Sequence, residues 1–304
     1  MPQTRVYWLQ ALTPLHVGSG TGLGFIDLPV MREKATGWPV VPGSAIKGVM
    51  AAWNDATVEE RAGRHVLIAA FGAGGDDNAN AGALVFTDAR MVCLPVRSLY
   101  GTFAWVTCKL ALDRLARDLR AAGETTVPPT AAPGAGKALV AAGSWLAGAQ
   151  EAPRPAVRDT VYLGELDLKK EDRPQDEATI WAGFLKRALF PGDADWQTEF
   201  QRRFVIVPES SFNFFSETAT EVSARIKIDP VKRTVDKEHG ALWYEESLPA
   251  ETVLAGLSWC DRIPASRQAT EAEVLALVRS GTLQVGGKAT VGRGQVRFVV
   301  GGLG

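Results

Sequence analysis

Between Asp27 and Gly48 the chain reads DLPVMREKATGWPVVPGSAIKG, a short Pro/Gly-punctuated segment that runs into a ready helix start at Pro42-Gly43-Ser44. Ser44 is a good N-cap, because its hydroxyl can accept a hydrogen bond from a free backbone N–H of the first turn. A capping box would place Glu or Gln three residues on, but the chain has Lys47 there. A cation in a first turn faces the positive end of the helix dipole and costs a few tenths of a kcal/mol, up to about 1, unless something negative lies nearby. The economical explanation is an anion, most simply a phosphate, held at the helix N-terminus by Ser44 and Lys47. A solvated lysine stem on an ordinary surface helix fits the same residues.

Around this start the chain reads as a mixture of strands and helices. Val6–Leu12 has the character of a first strand, and Ser44–Trp53 is the first helix. Ala83–Val96 is a long stretch rich in Val, Leu, Phe and Met that favours β-structure, and Leu110–Ala121 places its apolar residues at helical spacing. Residues 123–155 are rich in Ala, Gly and Pro, which predicts a mobile loop or poorly ordered insertion. Trp181–Phe190 reads as another amphipathic helix, stopped by Pro191-Gly192; Arg203–Pro208 and Thr282–Val300 supply further strands. The order predicts an α+β sandwich with helices on one face. No internal repeat is visible.

The cleanest periodicity lies in Glu221–Asp229, where Val222, Ala224, Ile226 and Ile228 alternate with Glu221, Ser223, Arg225 and Lys227. Period two predicts a half-buried strand. Asp229-Pro230 begins a turn, and Thr234–Tyr244 could return as its partner. Arg225 and Lys227 on one face of such a hairpin could brace a phosphate chain, and its apolar face could wedge between bases, an interaction that tolerates any sequence. A hairpin packed on the body of its own subunit fits as well.

Two glycine-rich runs invite a nucleotide-binding reading. Gly18-Ser19-Gly20-Thr21-Gly22-Leu23-Gly24 fails the dinucleotide fingerprint, and no Gly-Lys-Ser/Thr of a phosphate-binding loop occurs in the chain. The second run, Gly286-Gly287-Lys288-Ala289-Thr290-Val291-Gly292-Arg293-Gly294, is different. Glycines let a backbone pass close to a ligand and aim successive N–H groups at an anion. Lys288 and Arg293 add positive charge. A tight hairpin with basic turn residues is the plainer alternative.

Composition restrains the nucleic-acid reading. The 304 residues carry 33 basic and 34 acidic side chains, whereas a freely diffusing RNA binder usually has net positive charge. Any RNA site must then be a local groove with the acidic residues placed elsewhere. Cys93, Cys108 and Cys260 are scattered without C-x-x-C pairing, which argues against a zinc site or a disulfide framework and for reduced thiols. The N-terminus lacks the layout of a signal peptide, and no apolar run approaches the roughly 20 residues that span a bilayer, so a cytoplasmic protein is expected.

The candidate catalytic groups are His16, Asp27, Glu245 and Glu246. They form no Ser/His/Asp pattern and no H-E-x-x-H. Without context, a lone Asp on a loop is usually a turn residue.

Several stretches supply that context. Thr13-Pro14-Leu15-His16-Val17-Gly18-Ser19-Gly20, Ile26-Asp27-Leu28-Pro29-Val30 and Val41-Pro42-Gly43-Ser44-Ala45-Ile46-Lys47-Gly48 come first. Pro95–Trp105 follows, then Ala219-Thr220-Glu221-Val222 running to Ile228-Asp229, then Ala241–Glu246. In this order they resemble the RAMP superfamily (repeat-associated mysterious proteins) of CRISPR systems, and most closely the repeating backbone subunit of the type III-B, or Cmr, effector complex. The resemblance implies one domain over residues 1–304: a ferredoxin-like, RRM-related palm with large insertions, including a helical one and a protruding β-hairpin thumb over residues 219–246.

It also implies a function. The partners would be guide RNA, target RNA, further copies of the chain in a filament and other effector subunits. The guide backbone would meet Ser44, Lys47, Arg225, Lys227 and the glycine loop with Gly287, Lys288, Gly292 and Arg293. Asp27 falls on the position the family uses for target-RNA cleavage. A single carboxylate suits a divalent metal, Mg²⁺ or Mn²⁺, that keeps most of its waters and also binds phosphate oxygens. His16 and Glu245 would support proton transfer or RNA positioning. The rival readings are a scaffold subunit that does not cut, a guide-processing ribonuclease acting without metal, and an unrelated protein-binding module.

Overall fold

The computed structural model describes residues 3–20, 22, 24–57, 64–73, 80–147, 159–227, 242–264 and 268–301. Its first strand, β1 (Arg5–Ala11), alternates between two cores: Tyr7, Leu9 and Ala11 enter one, Val6 and Trp8 the other. A strand buried on both faces needs cover on both, and the rest of the chain provides it. The short β2 (Val40–Val41) leads into α1 (Gly43–Thr57), which with α2 (Arg64–Phe71) lines the first core through Ile46, Met50, Ala69 and Ala70. A two-stranded ribbon, β3 (Gly72–Ala73) with β4 (Asn80–Ala81), precedes β5 (Leu84–Phe86), β6 (Ala89–Arg97) and β7 (Phe103–Cys108).

The second face is covered by α3 (Lys109–Ala121), whose Leu112, Leu115, Ala116 and Leu119 recur at helical spacing, and by two later helices. After β8 (Lys137–Val140), β9 (Thr160–Leu163) and β10 (Leu166–Lys170) come α4 (Glu177–Leu189) and α5 (Ala194–Arg203), which insert Trp181, Leu185 and Phe200. Asp176 and Asp193 cap these helices, each accepting a backbone N–H of the first turn. Helices therefore flank both faces of the sheet, not the single face expected, because the inserted lobe brings its own. Then follow β11 (Phe204–Val207), α6 (Glu209–Thr218), β12 (Glu221–Ile226), β13 (Leu242–Ser247), β14 (Val253–Cys260), α7 (Glu271–Ala276), β15 (Gly281–Gln284) and β16 (Gln295–Val300).

The main sheet runs β15-β16-β1-β14-β6-β7-β11-β8-β10-β9, with β2 added on β6 and β5 on β14. Its centre, β16-β1-β14-β6, is antiparallel throughout. In chain order those four strands and two helices read β1-α1-β6-β14-α7-β16, and everything from β7 to β13 is inserted between β6 and β14. The Ala/Gly/Pro-rich segment is packed as far as Ala147: β8 joins the sheet, Ala131, Leu139 and Leu146 are buried, and Trp181 Nε1 donates to the Pro129 carbonyl at 2.8 Å. Small residues there let the chain lie close against its neighbours; residues 148–158 lie outside the described set. All three cysteines are buried and free. Among the described residues no helix is long and apolar enough to cross a membrane.

Candidate nucleic-acid interface

The sheet leaves its polar machinery at one end, where β12 and β13 form a separate two-stranded hairpin. Its register pairs Val222 with Glu246, Ala224 with Tyr244 and Ile226 with Leu242 on one face, and Ser223 with Glu245 and Arg225 with Trp243 on the other. The two faces differ in burial. Val222, Ile226 and Leu242 are 46%, 47% and 59% exposed, while the polar face is the half-buried one. The reason is that the hairpin is rooted by polar contacts. Arg293 reaches from the glycine loop to both strands, donating to Ser247 Oγ at 2.6 Å and Ser223 Oγ at 3.2 Å. The residues joining the strands, 228–241, including the expected turn at Asp229-Pro230, lie outside the described set.

Glu245 sits at the centre of this root, only 3% exposed. Its Oε1 accepts from Lys288 Nζ and from Trp243 Nε1, each at 2.7 Å, and Arg225 Nε stands 3.4 Å from Oε2. Burial alone would push this carboxyl up. The hydrogen bonds from Lys288 and Trp243 and the charges of Lys288 and Arg225 outweigh it and hold the pKa at about 2. Glu245 is thus held as an anion by Lys288, Trp243 and Arg225. Lys288, Arg225 and Arg293, expected as phosphate contacts, each give at least one donor to this internal network. Lys227 is exposed at the outer end of β12.

Glu246, the next residue, points to the opposite face and is equally committed. Val30 N donates to its Oε2 at 3.0 Å and Arg32 Nη2 to its Oε1 at 2.5 Å. Its carbonyl oxygen lies 2.6 Å from His16 Nδ1. A carbonyl only accepts, so Nδ1 carries the proton and the lone pair of the neutral ring is on Nε2. The His16 carbonyl in turn accepts from Gly287 N at 3.0 Å. Gly286 makes this possible: its φ is +76°, and a Cβ there would stand 2.2 Å from the His16 oxygen.

Asp27 lies on the outside of the same junction. The segment Leu28–Val30 runs beside β13, with Leu28 N donating to Tyr244 O at 3.1 Å and Glu246 N to Leu28 O at 3.0 Å. At the end of this pairing the Asp27 carboxylate takes over, its Oδ2 accepting Tyr244 N at 2.8 Å. The side chain is exposed, and among the described residues Oδ1 receives no hydrogen bond. Phe25 stacks on Tyr244 with ring centroids 4.7 Å apart.

Ser44 and Lys47 do not join this cluster. The helix starts one residue earlier than expected, at Gly43, whose N–H is capped by Asp88 Oδ1 at 2.9 Å; Ser44 is exposed within the first turn. Asp88 thus brings one carboxylate to the helix N-terminus from within the chain. Lys47 is half-buried and donates to the Gly82 carbonyl at 3.3 Å, and burial lowers its pKa.

Chemically, Asp27 offers one uncommitted carboxylate oxygen, and β13 links it to His16 and to the cations held by Glu245. Among the described residues no three His, Cys, Asp or Glu side chains gather into a metal-binding group. The donor set fits a hard cation shared with phosphate oxygens and water, because Mg²⁺ needs only one or two protein carboxylates.

The structure connects the sequence candidates His16, Asp27, Glu245, Arg225, Lys288 and Arg293 through one hairpin root, but sequence reasoning did not foresee that grouping. It missed Phe25, Arg32, Trp243 and Tyr244. Alternation along β13 carried the signal for Trp243 and Tyr244, since neighbours of Glu245 must line the two faces of the same strand.

The profile of the RAMP superfamily matches residues 8–297. The chain belongs to the RAMP superfamily. A RAMP relative from Pyrococcus furiosus, named CRISPR system Cmr endoribonuclease Cmr4, is 33% identical over 300 residues, spanning 96% of this chain and 94% of the relative. The crystal structure of oligomeric Cmr4 from Pyrococcus furiosus superposes with a TM-score of 0.74 at 26% identity over 99% of both chains. A chain of the type III-B Cmr-beta complex bound to cognate target RNA shares the RAMP fold, with a TM-score of 0.72 at 19% identity over 98% of this chain and 96% of that one.

Proposed function

We propose that this protein is a guide-RNA-binding backbone subunit of a type III-B CRISPR effector complex and that it cleaves complementary target RNA at regular intervals. It acts in the cytoplasm with further copies of itself and with other subunits of the complex. The central β1-α1-β6-β14-α7-β16 unit serves as a ferredoxin-like palm, and the hairpin β12–β13 serves as a thumb. Specificity comes from guide–target pairing, while the protein holds the duplex by backbone and shape.

The observation that carries the reading is the exposed Asp27 carboxylate, fixed by Tyr244 N at the foot of a hairpin whose outward face is apolar. The outward Val222, Ile226 and Leu242 insert beside bases and open the duplex at each copy of the subunit. The freed nucleotide presents its 2′-hydroxyl to the adjoining phosphate. Attack of that oxygen in line on phosphorus forms a 2′,3′-cyclic phosphate and releases the 5′-oxygen of the next nucleotide, which takes up a proton. Asp27 orients the attacking 2′-hydroxyl and, with phosphate oxygens and water, would hold a divalent metal, Mg²⁺ or Mn²⁺, which supplies charge neutralisation at the phosphate when bound. His16, with Nδ1 tied to the Glu246 carbonyl, keeps Nε2 as the nitrogen that can accept a proton. Glu245 positions Lys288 and Arg225, whose remaining donors face the phosphate chain with Arg293 and Lys227, while Gly287 and Gly292, their N–H groups given to the His16 and Ala289 carbonyls, let the backbone pass close to it. Ser44 and Lys47 on α1 hold guide phosphates.

The test is cleavage by the reconstituted complex. Complementary RNA should give a ladder of evenly spaced products, lost on chelation and restored by Mg²⁺ or Mn²⁺. A ladder unchanged by Asp27→Ala would make the subunit a scaffold. A ladder that needs Asp27 but survives chelation would remove the metal.

A further inference from the structure

Phe25 lies two residues before Asp27 and is 77% exposed, the most exposed large apolar side chain among the described residues. One face of its ring is occupied, stacked on Tyr244 at 4.7 Å and 30°. The opposite face is open to solvent. Tyr244 is also the residue whose N–H fixes the Asp27 carboxylate. Ring and carboxylate are therefore referenced to one point of the backbone, with two residues of chain, at most about 7 Å, between them.

Leaving a phenyl ring in water beside a charged junction has a cost that packing within this chain does not recover. A second aromatic ring laid on the open face would recover it. Nucleobases carry such a face whatever their identity, and a base is available only when its nucleotide is out of the duplex stack. Tyr244 stiffens the platform from behind, and the opposite position in the sheet is Ala224, small enough to leave the stack unobstructed. Among the described residues no side-chain hydrogen-bonding group is paired with Phe25, so the contact would sense the presence of a base and not its edge.

We propose that Phe25 is a positioning residue of the cleavage reaction: its open face stacks the base of the displaced target nucleotide and so sets the adjoining phosphate against Asp27. The proposal rests on the cleavage reading given above. It requires that removing the stack slow the chemical step far more than it weakens target binding, which the guide duplex supplies.

The experiment uses the complete guide-loaded complex and a target with 2-aminopurine at the displaced position. In a first series the reacting 2′-hydroxyl is replaced by hydrogen, so the stack is read without any cleavage. 2-Aminopurine emission should be quenched with the wild-type protein and recover in Phe25→Ala. In a second series, with the hydroxyl present, single-turnover cleavage should fall about tenfold to a hundredfold in Phe25→Ala and Phe25→Leu, the size of one lost base–aromatic stack. Target Kd should stay within about twofold, and Phe25→Trp should restore the rate, since stacking needs a π-face. An abasic nucleotide should slow the wild type equally and add nothing in Phe25→Ala. Equal emission in wild type and Phe25→Ala, or full activity in Phe25→Leu, overturns the proposal. Quenching without any cleavage by the wild type would instead overturn the cleavage reading and leave the stack standing.

Discussion

Lys288 Nζ donates to Glu245 Oε1 at 2.7 Å, which ties the glycine loop to the root of the hairpin. The lysine thereby acts on the fold before it acts on any ligand. Lys288→Ala should destabilise the protein by about 1–2 kcal/mol, because a buried carboxylate loses its strongest donor. Urea unfolding checks this; a midpoint equal to wild type would make the contact dispensable.

The same carboxylate predicts a pH dependence. A folded pKa of about 2, below the ordinary 4.5, means that Glu245 contributes stability above about pH 4.5 and loses it as pH falls toward 2. The full contribution is about 3 kcal/mol. Glu245→Gln should therefore be less stable than wild type at pH 7, with the gap narrowing steadily below pH 4.5. Thermal unfolding from pH 7 to 3 measures it, and a gap constant with pH contradicts the assignment.

Asp27→Ala should abolish target cleavage and leave assembly and target binding near normal. The side chain is exposed and the Tyr244 N–H it releases can turn to water, so stability should change by less than about 1 kcal/mol. Cleavage at the wild-type rate and positions by the variant complex would move the nuclease elsewhere.

The outward hairpin face gives a third kind of test. Ile226→Ser with Leu242→Ser removes two half-exposed apolar side chains, and surface changes of this sort stay within about 0.5 kcal/mol each. Chemical probing of bound target should lose its regular pattern of reactive nucleotides while guide loading survives. An unaltered pattern would mean that the face does not meet the duplex.

Lys47→Met keeps the packed stem and removes the charge. Guide affinity should weaken, and its salt slope should drop by about 1 for the lost phosphate contact. An unchanged slope would confine Lys47 to its contact with Gly82.

The strands and helices were legible where periodicity had a single cause. Lys109–Ala121 follows directly from spacing. Alternation in Glu221–Ile226 located a strand correctly but left open which face turns inward. Apolar residues turn inward only when the core is their best partner; here Arg293, Lys288 and Glu245 root the polar side and the apolar side is left outward. The start of α1 was only partly legible for a related reason. The negative partner at the start of α1 is Asp88, 45 residues on, and no local pattern reports a contact made by tertiary folding. His16 and Asp27 were found by resemblance, and nothing in their neighbours' chemistry would have joined them to β13.

The place of β1 in the sheet bears on how the chain is made. Its two neighbours are β14 and β16, drawn from the last part of the sequence. During synthesis the first strand must wait, with Trp8 and Leu9 unsheltered, until β14 and β16 have left the ribosome. The inserted lobe between β6 and β14 emerges earlier and can collapse on its own helices in the meantime. Such long-range closure is slow and prone to aggregation, so the nascent N-terminus is where a chaperone would be needed, and a chain stopped short of β14 would leave β1 unpaired on both sides.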